Sequence, residues 1–156
     1  MLAAGKSAPD VSLEDLAGGR WSLADALKKG PVLLAFFKIS CPTCQLTFPF
    51  LQRLADGGGK GAPQLVAVSQ DDAAGTAQFH KRFNLSMRTA IDKPRTYPAS
   101  NAYGISHVPS LFLIEPDGRI SVAVEGFSKA HLEKLGERFG AAPFHGDDRV
   151  PVMQPG

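Results

Sequence analysis

Cys41 and Cys44 are the only cysteines in this chain of 156 residues, and they bracket a Pro-Thr dipeptide in the run Ser40-Cys41-Pro42-Thr43-Cys44. A pair at that spacing can close a small disulfide ring, and so take up or release two electrons through a mixed disulfide. The thiolate is the nucleophile in such exchange, so the surroundings of each sulfur decide its reactivity. Structural zinc is the competing chemistry. It takes four ligands, and His80, His107, His131 and His145 are spread too widely to supply a close pair. Two inert, buried cysteines are the bland alternative, but the pair stands at the exposed end of a strand. A redox pair is the favoured reading, and it calls for neither metal nor cofactor.

The flanks explain how the pair is held. Val32 to Phe37 is an unbroken apolar run, rich in aromatic and aliphatic residues, and it predicts a strand buried on both faces. Leu46, Phe48, Phe50 and Leu51 then continue in a way a helix can use, with Pro42 in the first turn, where a missing N–H costs nothing. Cys41 thus falls at the cap of a helix, where unpaired N–H groups and the positive dipole end favour negative charge. Its sulfur is expected to accept from the amides of Thr43 and Cys44, a setting in which a thiol ionises below its ordinary value of about 8.5.

Around this junction the sequence predicts one domain over 1–156, with a core of about 5–139 and a surface tail over 140–156, rich in Pro and Gly. Ala17-Gly18-Gly19 signals a hairpin, with Trp21 packed across it, and Ser22 starts a brief helix that ends before Gly30. Gln64 to Ser69 reads as a second buried strand. A helix follows to Phe83, with Asp71 and Asp72 as capping acids at its start. Thr89 to Ile91 is extended, and Tyr97 to Tyr103 is helical. Leu111 to Ile114 and Ile120 to Val124 form an antiparallel pair about the turn Glu115-Pro116-Asp117-Gly118-Arg119. A last helix runs from Ser128 to about Arg138. Lys60 is followed by glycine and has no glycine at position 54, so the Gly57–Gly61 stretch is a loop and not a phosphate cradle.

A net charge of +2 with scattered basic residues implies no nucleic-acid partner. No stretch approaches the roughly 18 apolar residues of a membrane span. The chain is expected to be a monomer. It would be cytoplasmic if Met1 is the native start, and periplasmic or envelope-bound if a leader has been removed.

The buried strand, the C-x-x-C opening a helix, Pro49 five residues after Cys44, and Val108-Pro109 together resemble the thioredoxin superfamily. The flanks are similar to its TlpA/ResA branch of thiol-disulfide oxidoreductases, adjacent to the redoxin and peroxiredoxin families. The resemblance covers about Gly5 to Phe139. It implies an α/β fold with a thioredoxin-like central mixed sheet flanked by helices, an N-terminal hairpin and an inserted βα unit. It also implies that Pro49 kinks its helix, and that Gly126 admits a close backbone on the active-site side. A further implication is that Pro109 is cis and borders a groove in which Val108 pairs with a substrate strand. Disulfide-containing protein clients would be substrates, with a second thiol oxidoreductase as electron donor or acceptor. Cys41 would attack and Cys44 resolve, with Pro42, Thr43, Val108, Pro109 and Lys38 as support.

Three positions depart from that pattern. Ser40 stands where relatives place tryptophan, Thr47 where the branch has glutamate, and Ala35 where thioredoxins bury aspartate. Proton transfer at Cys44 would then fall to water, Lys38 or Glu125. Lys38 reads either as a charge stabilising the thiolate or as a lysine reaching to solvent, and His107 either as a neighbour of the disulfide or as a surface residue. A peroxidase of the peroxiredoxin type is the second functional reading, but its P-x-x-x-T-x-x-C motif meets Leu34 and Lys38 here. A third is a non-enzymatic module binding peptide or Cu(I).

Overall fold

A computed structural model describes residues 1–156. The chain opens with a hairpin of β1 (Ser12–Asp15) and β2 (Arg20–Ser22), in which Leu13 faces Trp21 and the indole is buried. Ser22 caps α1 (Leu23–Leu27), its hydroxyl accepting from the Asp25 amide at 3.2 Å. Next come β3 (Val32–Phe37), α2 (Pro42–Gly57), β4 (Gln64–Ser69), α3 (Ala73–Phe83), β5 (Arg88–Ile91) and α4 (Pro98–Ala102). Pro49 stands inside α2, which continues through it to Gly57. The hairpin of β6 (Ser110–Ile114) and β7 (Ile120–Glu125) turns at Asp117, whose carboxylate accepts from the Arg119 amide at 3.0 Å. Two short strands unannounced by the sequence, β8 (Phe127–Ser128) and β9 (Met153–Gln154), pair across α5 (Lys129–Phe139) in the chain order.

Seven strands form one mixed sheet in the order β2-β1-β5-β4-β3-β6-β7. β3 lies at its centre, parallel to β4 and antiparallel to β6. This is the expected thioredoxin-like α/β architecture, with the hairpin and the β5–α4 insertion on one side. Alternation along β3 sends Leu33, Ala35 and Phe37 to one face and Val32, Leu34 and Phe36 to the other. The first face packs on α2, α3 and α5 through Phe48, Leu51, Phe79 and Leu132. The second packs under α1 and α4, with Tyr103 and Phe112 against Phe36. Each large β3 side chain so enclosed contributes about 1.5–3 kcal/mol. The strand therefore has no freedom to slide, and neither does the loop that leaves it. Phe37, its ring centroid 4.4 Å from Phe48 and 5.1 Å from Phe79, ties α2 and α3 to the end of β3.

The segment 140–156 is tied to the body at several points. Pro143 is buried, Phe144 packs on Phe50 with centroids 4.9 Å apart, and Arg53 pairs with Asp148 at 2.6 Å.

Arg138 of α5 grips Glu115 at the β6–β7 turn through contacts of 2.9 and 2.8 Å. Its hydrogen bonds hold the Glu115 carboxyl down at about 2, against a smaller opposing effect of burial and with help from the Ser121 hydroxyl. A carboxyl depressed by folding contributes stability that is present above its unfolded pKa of about 4.3 and lost as pH falls towards 2. Because Arg138 is half-exposed, solvent screening keeps the contribution small. Glu115→Gln is expected to cost about 1 kcal/mol at pH 7, and less at pH 3, where the unfolded chain already takes up the proton that the native pair excludes. Urea unfolding at the two pH values measures this, and an equal loss at both would contradict it.

Candidate active site

The loop from β3 to α2 is fixed by hydrogen bonds to its backbone. The Ile39 amide donates to Asp71 Oδ2 at 2.8 Å, the Cys41 amide to the Lys38 carbonyl at 3.1 Å, and Gln45 Nε2 to the Ile39 carbonyl at 3.0 Å. Cys41 is then the N-cap of α2. Of the two amides expected on its sulfur, that of Cys44 makes the contact, at 3.1 Å. Pro42 occupies the first turn with no N–H to leave unpaired.

The two sulfurs are chemically unequal. Cys41 is half-buried and borders a cavity of about 450 Å³, whereas Cys44 is wholly enclosed in the core face of α2. Burial pushes the Cys44 thiol far up from its ordinary value, and the hydrogen bond to Cys41 and the nearby Asp71 carboxylate act in the same direction. One sulfur thus stands part-exposed at the start of a helix, and the other is kept protonated one turn below. Both are free thiols. Such a pair is arranged for sequential reaction, the outer sulfur first.

The opposite wall is the loop before β6. The Val108–Pro109 peptide bond is cis, Pro109 is buried, and the Val108 carbonyl accepts from Cys41 Sγ at 3.4 Å. Sequence-distant residues are thereby brought within contact of the reactive sulfur. Lys38 lines the same cavity, but its ammonium lies over the Tyr97 ring at 5.6 Å from the centroid. His107 shares the cavity wall and pairs with Glu125 at 2.7 Å on the exposed rim.

Glu125 is therefore engaged at the surface. Thr47 is also closed off, since its hydroxyl donates to the Thr43 carbonyl at 2.7 Å, one turn back. Ala35 is sealed in the sheet between Ala67 and Leu111. The acid whose field reaches Cys44 is Asp71, in the loop between β4 and α3. The sequence reading made it a helix cap, yet Asp72 alone caps α3, accepting from the Gly75 amide at 2.8 Å. The one signal available was that two acids stand where a single cap suffices. Thr43, expected among the supporting residues, is buried, and its hydroxyl donates to the Pro155 carbonyl at 2.6 Å.

Comparison with known proteins fits this geometry. Residues 4–123 match the model of the AhpC/TSA family. Thiol-disulfide oxidoreductase ResA of Geobacillus thermodenitrificans is 31% identical over 140 residues, covering 86% of this chain and 79% of that protein. A Chlorobium tepidum structure assigned as a thiol:disulfide interchange protein DsbE superposes with a TM-score of 0.76 at 29% identity, covering 92% of this chain and all of that one. Peroxidoxin BcpB of Mycobacterium tuberculosis superposes with a TM-score of 0.75 at 21% identity over 90% of this chain and 97% of that one, a likeness of fold.

The inequality of the sulfurs has a direct test. Brief iodoacetamide treatment of the reduced, native protein is expected to label Cys41 and to spare Cys44 until the chain is unfolded. Peptide mass mapping reads the site, and label on Cys44 in the native protein would contradict the geometry.

Proposed function

The chain belongs to the AhpC/TSA family, and from that membership we propose that Cys41 is the attacking and Cys44 the resolving sulfur of a thiol-disulfide oxidoreductase. The observation that carries this reading is the cap at α2: a part-exposed sulfur receives the Cys44 amide, while Cys44 itself is buried and held protonated. Cys41, as thiolate, attacks one sulfur of a client disulfide. The client S–S bond breaks, its other sulfur leaves as thiolate, and a mixed disulfide forms. Cys44 then loses its proton and attacks the Cys41 sulfur. The mixed disulfide breaks, the second client thiolate departs, and a Cys41–Cys44 disulfide remains. Two electrons have passed to the client, and the same steps in reverse oxidise a dithiol.

Pro42, Thr43, Val108 and Pro109 form the walls against which the client lies. Lys38, turned onto Tyr97, supports the cavity wall and stays outside the proton path. Asp71, tied to the Ile39 amide and the one carboxylate whose field raises the Cys44 thiol, is the group we assign to receive the Cys44 proton as the mixed disulfide resolves. The partners are protein disulfides on one side and a second dithiol or disulfide oxidoreductase on the other. Disulfide clients persist outside the reducing cytosol, which supports an extracytoplasmic site of action. A peroxidase reading has less support, because Leu34 is sealed in the core and Lys38 stands where a peroxide-orienting threonine is needed.

Reduction of insulin disulfides with dithiothreitol as donor tests the reading. Cys41→Ser is expected to abolish turnover. Cys44→Ser is expected to lower it by about two orders of magnitude and to accumulate a covalent complex that dithiothreitol dissolves. Thiol-dependent peroxide loss faster than insulin reduction would overturn the assignment in favour of a peroxidase.

A further inference from the structure

Polypeptide already lies across the reactive end of α2, and it is the chain's own. After Val150 the backbone turns back towards the active site and forms β9. There Gln154 pairs with Phe127 and Met153 with Ser128, and the Lys129 amide donates to the Val152 carbonyl at 3.0 Å. The strand then crosses Thr43, whose hydroxyl donates to the Pro155 carbonyl at 2.6 Å and accepts from Gln154 Nε2 at 2.9 Å. Gly156 comes to rest against Val108, so close that a Cβ there would fall 2.0 Å from the Val108 carbonyl oxygen. That oxygen is the one on Cys41 Sγ, and Gly156 and Cys41 line the same cavity.

The fit is to backbone. Gly126, at φ +77°, forms the other wall, and a Cβ on it would stand 2.7 Å from the Gln154 carbonyl oxygen. The close backbone that this glycine admits is thus the chain's own strand. The side chains of Val152 and Met153 contribute little, since they are 75% and 70% exposed, the most exposed large apolar residues in the molecule. Main-chain pairing with small residues at the points of closest approach is how a sheet edge takes an extended peptide of varied sequence. The strand carries no cysteine, so it can lie beside Cys41 without reacting.

We infer that Val152–Gly156 is a built-in pseudo-substrate: it occupies the groove a client strand must enter, and a client reaches Cys41 by displacing it and taking over the Thr43 hydroxyl. The inference rests on the oxidoreductase reading above. It also identifies the preferred client as an extended segment with a free main-chain carbonyl over Thr43 and a small residue against Val108. Release is local. Arg53–Asp148, Phe144 and Val150 anchor the chain upstream, while the strand itself is held by a few hydrogen bonds of modest net strength that must offset the entropy of ordering it.

Two variants test this: a chain ending at Pro151, which keeps every upstream anchor, and full-length Gly156→Val, whose side chain would collide with the Val108 carbonyl and lift the strand while leaving the groove walls unchanged. Each is assayed for reduction of insulin and of 2-hydroxyethyl disulfide, a substrate too small to need the groove. Both variants are expected to reduce insulin at least 5-fold faster than the parent at low substrate. The small disulfide should change less than 2-fold. The peptide Val-Met-Gln-Pro-Gly, added to the shortened chain, is expected to raise KM for insulin without changing kcat. If the shortened chain does not fold, as read by circular dichroism, Gly156→Val decides alone. Insulin rates equal to the parent's, with the small disulfide still reduced, would overturn the pseudo-substrate and leave the oxidoreductase standing. A parent inert towards both disulfides would remove the reading beneath it.

Discussion

Everything at the active site depends on β3 being enclosed on both faces. Six consecutive buried side chains alternate between two separate core clusters, so the strand is fixed in register and depth. Its end is fixed too, and the short loop beyond it delivers Cys41 to the start of α2. The helix supplies the Cys44 amide to the sulfur, and the core takes Cys44 itself out of water. Reactivity here is a consequence of packing. A redox pair on a surface loop would have two similar thiols, whereas one at this junction has an accessible sulfur and an enclosed one.

Much of this was legible in the residues. The apolar run, the C-x-x-C and the proline in the first helical turn each constrain local structure, and they agree with one another. The caps at Ser22 and Ser128 and the turn at Asp117 fell where local chemistry placed them. What escaped was tertiary. Asp71 is a capping acid by sequence and becomes the charged neighbour of Cys44 only because β4 runs parallel beside β3. Thr43 is one of two residues inside the motif, and its partner lies more than a hundred positions away. β8 and β9 are two residues each and have no periodicity to detect. The contacts of Lys38 with Tyr97 and of Glu125 with His107 are tertiary in the same way, since neither partner stands near in sequence.

The three departures from relatives also resolve into one picture. With Ala35 and Thr47 in place of acids, the space around Cys44 is apolar, and its thiol is held protonated chiefly by burial. Asp71, in the loop before α3, adds a smaller push in the same direction. On the other side, Ser40 is exposed, and the chain's own C-terminal strand brings Gly156 to the cavity beside Cys41.

The central claim is that Cys41 and Cys44 form one reversible two-electron couple held by the fold. A redox titration of the native protein, with each sample alkylated and mapped by mass, tests it most directly. The account predicts a single transition in which the chain loses two hydrogens and the Cys41 and Cys44 peptides become linked to each other. Two sulfurs that stay unlinked across the whole range, or that oxidise only by joining separate chains, would contradict it.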